Sequence, residues 1–187
     1  KNVSKIKALM KIVVEQFDSY SKINKKIPLE VLNNIRTYID PNKLADVVIA
    51  NLNISISQKQ ELLEIISTEQ RLDKIYGYLI SEMDTMQVEK KIKEDIISAL
   101  ETVYDPEIPV SIWSLGLVYD IDIDVEKNVK ITMTLTTPNC PEAEAIPERV
   151  ADAASKCKLV KDVKVEIVWE PSWNQEMMSE AAKLELG

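Results

Sequence analysis

The 187-residue sequence contains no histidine and only two cysteines, Cys140 and Cys157. Without imidazole, the usual zinc and haem ligand sets are excluded. Two thiols cannot build a disulfide framework, and they point to a reducing compartment, most simply the cytoplasm. No apolar run approaches the ~20 residues that span a bilayer. The first residues alternate lysine with single apolar side chains, which is not a signal-peptide pattern. Membrane is therefore not an expected partner. Nor is nucleic acid, because the net charge is −8. No glycine-rich loop followed by lysine is present to cradle phosphate, and no convincing acid–base pair suggests catalysis. The expectation is a chain that is not an enzyme. It opens on Lys1 rather than methionine, which leaves a trimmed or engineered chain open.

Hydrophobic residues make up 45% and charged residues 29%, the balance of an ordinary globular protein. The charge is unevenly placed. Residues 1–91 carry 14 Lys/Arg against 12 Asp/Glu, a balance of +2, and residues 92–187 carry 9 against 19, a balance of −10. Two prolines fall in the first stretch and six in the second. This shift predicts two domains, 1–91 and 92–187.

The first stretch reads as consecutive helices. Val3, Ile6, Leu9, Val13, Phe17 and Tyr20 recur at three- or four-residue steps, the stripe of an amphipathic helix. Pro28 suits the first position of a helix through Ile35. Asp40-Pro41 is a stronger start signal, with Leu44, Val47, Val48 and Leu52 as the buried stripe. "SQKQ" (Ser57–Gln60) and "STEQ" (Ser67–Gln70) have capping-box spacing and predict helices over about 58–66 and from about 68. From Leu72 to Val103 only Gly77 interrupts helix-forming residues. Leu72, Ile75, Leu79, Met83 and Met86 share one face, whereas Val88, Ile92, Ile96, Leu100 and Val103 cluster about a third of a turn away. One long helix serving two cores, or a break near Gln87–Lys91, satisfies that phase change.

The second stretch changes period. "GLVYDIDIDV" (116–125) alternates Leu117, Tyr119, Ile121, Ile123 and Val125 against Val118 and three aspartates. "NVKITMTLTT" (128–137) alternates Val129, Ile131, Met133 and Leu135 against lysine and threonines. The aspartates read as a solvated face, since their spacing lacks the glycine and distal glutamate of a calcium loop. A helical stretch to about Lys158, a strand in "DVKVEIVWE", and a closing helix over Asn174–Leu186 complete the pattern. The fold class is α+β: an all-helical unit joined by a long helix to a small α-β-β-α-β-α two-layer sandwich.

Cys140 lies in "TTPNCPEAEAIP", where a helix beginning at Pro141 would offer unpaired amides that favour thiolate. Pro147 speaks for a later start, near Ile146, with Cys140 in a loop. Read by itself, the cysteine is better explained as a small residue filling a tight corner. Asp105 and Glu107 flank Pro106 and read as turn carboxylates, and Thr136 and Thr137 read as strand-end residues. "WEPSWNQEMM" reads first as a lid over the small sheet, with a client-facing surface of Trp173, Met177 and Met178 as the alternative. Cys157, among Ala153, Ala154 and Leu159, reads as structural.

Residues 92–187 resemble the SufT/PaaD-like family of iron–sulfur cluster assembly domains. The resemblance rests on "YDPEIPVSIWSLGLVYDIDID", "MTLTTPNCP" and "VWEPSWNQEMMSEAAKLELG", three motifs in order. It implies a surface cluster of Asp105, Glu107, Thr136, Thr137 and Cys140. It also implies client or cluster-assembly proteins as partners and a transient iron–sulfur cluster or iron as the group handled. One thiolate cannot hold a cluster that normally takes four ligands, so the remaining ligands would come from a second chain, a client or the two carboxylates. Residues 1–91 resemble the helical part of the Lon protease amino-terminal region. That resemblance rests on "FDSYSKINKKIPLEVLNNI", "DPNKLADVVIANLNISISQKQELLEI" and "RLDKIYGYLISEMDTMQVEKKI". It implies substrate or partner binding and subunit association, hence homo-oligomers, without motor or protease activity. A natural fusion and an engineered one stand equally open.

Overall fold

In the computed structural model, which describes residues 2–105, 108–137 and 145–186, the stripe starting at Val3 becomes α1 (Asn2–Ile23). Val13, Phe17 and Tyr20 are fully buried. The Tyr20 hydroxyl accepts from the Asn53 amide at 3.1 Å and from Asn24 Nδ2 at 3.1 Å, so the ring enters the core with its polar tip satisfied. α2 (Leu29–Ile35) begins one residue later than the proline spacing predicts. Pro28 has ψ 143 and is the flanking cap rather than the first helical residue. α3 (Pro41–Asn51) starts as expected, with the Asp40 carboxylate accepting from the Asn42 amide at 2.9 Å.

α4 (Ile56–Glu64) corrects the expected 58–66 range. The capping box is Ser55–Gln58, not Ser57–Gln60. Gln58 N donates to Ser55 Oγ at 3.3 Å, and Ser55 N donates back to Gln58 Oε1 at 2.9 Å. Two overlapping Ser-x-x-Gln frames satisfy the motif equally. The frame adopted buries Leu62 and leaves Ile66 in water.

α5 (Thr68–Leu100) is one continuous helix of 33 residues, without a break at Gln87–Lys91. Its first part gives Leu72, Ile75 and Leu79 to one apolar core, and its last part gives Ile92, Ile96 and Leu100 to another. Each such fully buried side chain contributes about 1.5–3 kcal/mol. The chain divides into two compact units, Lys1–Gln87 and Val88–Gly187.

In the second unit, β1 (Val118–Ile123) and β2 (Asn128–Met133) form an antiparallel hairpin. β3 (Asp162–Ile167) lies parallel to β2 after the crossover helix α6 (Ala145–Ser155), in the order β1-β2-β3. Ile146, Val150 and Ala154 of α6 face the core. The hairpin turn is set by Asp124, whose Oδ1 accepts from Glu126 N at 2.8 Å and Asn128 N at 2.9 Å, with Lys127 at φ 67. Val125 therefore sits in the turn, 91% exposed, and not on the buried face that simple alternation assigned it. A register shift between Val118 and Asp120 makes Tyr119 the irregular residue of β1. Asp120 and Asp122 are solvated as expected.

The expected closing helix is two pieces. A 3-10 turn, Gln175–Met177, is capped by Asn174 Oδ1, which accepts from Glu176 N at 2.9 Å. α7 (Glu180–Leu186) follows. Between them Met178 is extended and turns into the core. Ser179 then donates its amide to the Ser114 carbonyl at 2.8 Å, and its hydroxyl accepts from Ala182 N at 3.2 Å.

Candidate functional site

Three polar residues are buried among the described residues: Asp105, Ser111 and Thr134, at 6%, 6% and 1% exposure. All lie in the second unit, and three backbone hydrogen bonds in series explain how the chain gathers them. Ile112 N donates to Val103 O at 2.9 Å, Leu117 N to Ile112 O at 3.1 Å, and Thr134 N to Leu117 O at 2.8 Å. Tyr104 also pairs with Ser111 as an isolated antiparallel bridge. The segment after α5, the 110–117 turn and the end of β2 are thus stitched together. This relay connects the stretch that carries Asp105 to the one that carries Thr136 and Thr137.

The carboxylate of Asp105 closes its own turn, Oδ1 accepting from Ile108 N at 3.2 Å. Ser111 Oγ accepts from Ser114 N at 3.1 Å. Among the described residues the hydroxyl of Thr134 has no hydrogen-bond partner. A buried donor left unmade costs about 1–3 kcal/mol, so this group is an exception that calls for a reason. Sequence alternation had placed Thr134 on the solvated face of β2. Regular pairing stops at Met133, however, and Thr134 and Leu135 are buried in succession. Thr136 is half-buried and Thr137 exposed. Cys140, Pro141 and Glu107 lie outside the described residues. α6 starts at Ala145, with Pro147 in its first turn, where a missing amide costs no helical bond.

Cys157 follows the far end of α6. It is half-buried against the core, its Sγ is 4.0 Å from the Ala153 carbonyl, and burial followed by the charge of Asp95 pushes its thiol pKa up. No three His, Cys, Asp or Glu residues converge on a metal-sized point among the described residues.

The C-terminal segment is anchored beside this region. Trp173 is half-buried and donates Nε1–H to Leu115 O at 2.7 Å. The Tyr119 hydroxyl donates to Pro171 O at 2.7 Å. Met178 is 9% exposed and part of the core, whereas Met177 is half-buried. Gly116 makes that closure feasible. Its φ is +72, and a Cβ there would lie 2.2 Å from the Met177 carbonyl oxygen. Neither Gly116 nor Thr134 carries a sequence signal strong enough to single it out. A groove between the end of α5 and α6 is lined by Thr102, Tyr104, Arg149, Asp152 and Lys156, and Tyr104 is 54% exposed.

No helix among the described residues is long and apolar enough to cross a membrane. Residues 1–81 match the substrate-binding domain of the ATP-dependent protease La (Lon). Lon protease of Azospirillum brasilense is 42% identical over 96 residues, which is 51% of this chain but only 12% of that protease. Residues 93–167 match the iron–sulfur cluster assembly protein family. An Fe-S protein maturation auxiliary factor of Porphyromonas gingivalis is 53% identical over 95 residues, covering 51% of this chain and 90% of that protein. A crystal structure of a domain of unknown function (DUF59) from Bacillus anthracis superposes with a TM-score of 0.51 at 40% identity, covering 52% of this chain and 93% of that one. Through its second half, and with a Lon-type substrate-binding segment in its first, the chain belongs to the iron–sulfur cluster assembly protein family.

Proposed function

We propose that the chain is a non-enzymatic accessory factor in iron–sulfur cluster assembly or client maturation, acting through Cys140 and a protein interface. The observation that carries this reading is the match of the second half to nearly the full length of a maturation auxiliary factor. The buried polar residues Asp105, Ser111 and Thr134, on hydrogen-bonded segments that lead to Thr136, Thr137 and Cys140, support it. The cluster is cargo rather than a resident group. Cys140 supplies one thiolate, and Cys157 sits beyond the far end of an 11-residue helix, about 16 Å long. The missing ligands come from a client or donor protein, with Asp105 and Glu107 as the local oxygen donors. Trp173 and Met177, each half-buried, leave part of their surface for that client.

Anaerobic reconstitution of the full chain with iron, sulfide and a small thiol that stands in for the client's missing ligands tests this. The expected result is visible absorption that Cys140→Ser abolishes and Cys157→Ser leaves intact. Absorption that survives Cys140→Ser overturns the role of that thiol. Limiting alkylation near neutral pH gives a second check. Cys140 is expected to react first, because burial and Asp95 disfavour the Cys157 thiolate.

The match of residues 1–81 favours a second reading, in which the helical unit binds substrate or partner polypeptides as a Lon-type module without ATPase or protease activity. Fluorescence anisotropy of a labelled, permanently unfolded polypeptide with the full chain tests it. Saturable binding that Cys140→Ser does not alter supports this reading, and no binding rejects it.

A further inference from the structure

The two edges of the sheet differ. Beside β1, the C-terminal segment is tied down through Tyr119, Leu115 and Gly116. β3 bonds to β2 on its inner side, and its outer side makes no hydrogen bond among the described residues. Its side chains repeat this incompleteness. Val129, Ile131 and Met133 of β2 are at most 1% exposed, whereas Val163, Val165 and Ile167, one strand further out, are only half-buried. On the opposite face Asp162, Lys164 and Glu166 alternate in sign and are exposed. A free edge of this kind is a template for an added strand.

We propose that β3 pairs antiparallel with β3 of a second copy of this chain, about a two-fold axis through Val165. The register follows from two conditions. To keep the apolar residues of both copies on the same face, paired residues must both be even-numbered or both odd-numbered. Charges that meet must also have opposite sign. An axis at Lys164 puts lysine on lysine and Asp162 on Glu166, and an axis at Glu166 puts glutamate on glutamate. An axis at Val163 matches Asp162 with Lys164 but pairs only residues 162–164 of the strand. The axis at Val165 pairs all of 163–167. It sets Lys164 opposite Glu166 twice and Val163 opposite Ile167 twice, and it places the half-buried Val165 against its own counterpart. The product is a continuous six-stranded sheet. This interface does not depend on the cluster-assembly reading.

The test is the oligomeric state of the full chain by sedimentation velocity, with cross-linking to fix the register. The expected result is a concentration-dependent dimer whose dissociation constant rises about tenfold in Lys164→Glu, where two attractive pairs become repulsive. Adding Glu166→Lys to that variant restores dimerisation. Because Glu166 also pairs with Lys130 at 2.5 Å, the Tm of each variant is measured as a fold control. In a Cys140→Ser/Cys157→Ser background, Val165→Cys oxidises to a disulfide dimer, since residues facing each other across the axis have Cα atoms about 4.5–5.5 Å apart. Val163→Cys does not, because its symmetry mate is displaced by about four residues, roughly 13 Å. A chain that stays monomeric at the highest soluble concentration overturns the proposal. So does a dimer that is indifferent to Lys164→Glu and cross-links no faster through position 165 than through 163.

Discussion

The helical unit and the α/β unit treat buried polarity in opposite ways. In the first, the core runs from Val13 through Leu79 with no buried polar residue among those described, and its one buried hydroxyl, on Tyr20, accepts two hydrogen bonds. In the second, Asp105, Ser111 and Thr134 are all taken out of water, and the Thr134 hydroxyl has no hydrogen-bond partner among the described residues. Burying polar atoms works against stability unless each is satisfied. The first unit is therefore organised for packing, and the second gives up some stability on the segments that lead to Thr136 and Thr137. Their glycines repeat the contrast. Gly77 sits on α5 with nothing within 4 Å of a Cβ built there, whereas Gly116 is held against the Met177 backbone at positive φ.

Dividing the chain is the most drastic way to break this comparison. Residues 92–187, which keep the whole α-β-β-α-β-α order, are expected to unfold cooperatively on their own. A collapsed, disordered amide NMR spectrum would show that the two cores are not independent. Next in size is Gly116→Ala. The strained φ and the clash with Met177 are expected to cost about 2–3 kcal/mol, read as a fall in the denaturant midpoint of the second unit only. If the first unit falls with it, the units unfold as one.

Thr134→Val sharpens the contrast from the other side. Replacing an unpaired hydroxyl with a methyl of similar shape is expected to stabilise the second unit by about 1 kcal/mol, while the Cys140-dependent absorption tests whether the hydroxyl serves the site. A loss of stability would mean that the group is already satisfied. Gly77→Ala is expected to raise the stability of the first unit by about 0.5–1 kcal/mol through helix propensity, and a loss would reveal a contact at that face.

The smallest effect is on pH. Hydrogen bonds from Arg36 and Lys22 hold Asp18 below the usual carboxylate range, and the Asn128 side chain and neighbouring amides do the same for Asp124. A depressed folded pKa gives stability that is present above the unfolded value near ~4 and lost as pH falls through the folded one. Tm should therefore decline in both units below about pH 4. Asp18→Asn should flatten the decline in the first unit alone, and an unchanged slope would show that its ion pairs contribute nothing measurable.

Much of this architecture is written in local pattern. The stripe Val13–Phe17–Tyr20, the Asp40-Pro41 start, the phase change along α5 and the two-residue period of β1 and β2 all follow from spacing, because a helix or strand buries whichever face its sequence makes apolar. Two family resemblances were legible for the same reason, as collinear motifs. Other features were decided only when distant segments met. Which of two overlapping capping boxes forms is not set by the motif, since both satisfy it, and only the structure shows Ser55–Gln58. The exposure of Val125 turned on the Asp124 turn, and the break at Met178 accompanies bonds from Trp173 and Ser179 to Leu115 and Ser114, 58 and 65 positions earlier. Thr134 is the clearest case: its sequence position marks it as solvated, yet it is 1% exposed, with its amide bonded to Leu117 O. Sequence alone determined the local elements, since those depend on neighbours within a turn or two. Tertiary structure decided which polar groups leave water, because burial depends on what the rest of the chain lays over them.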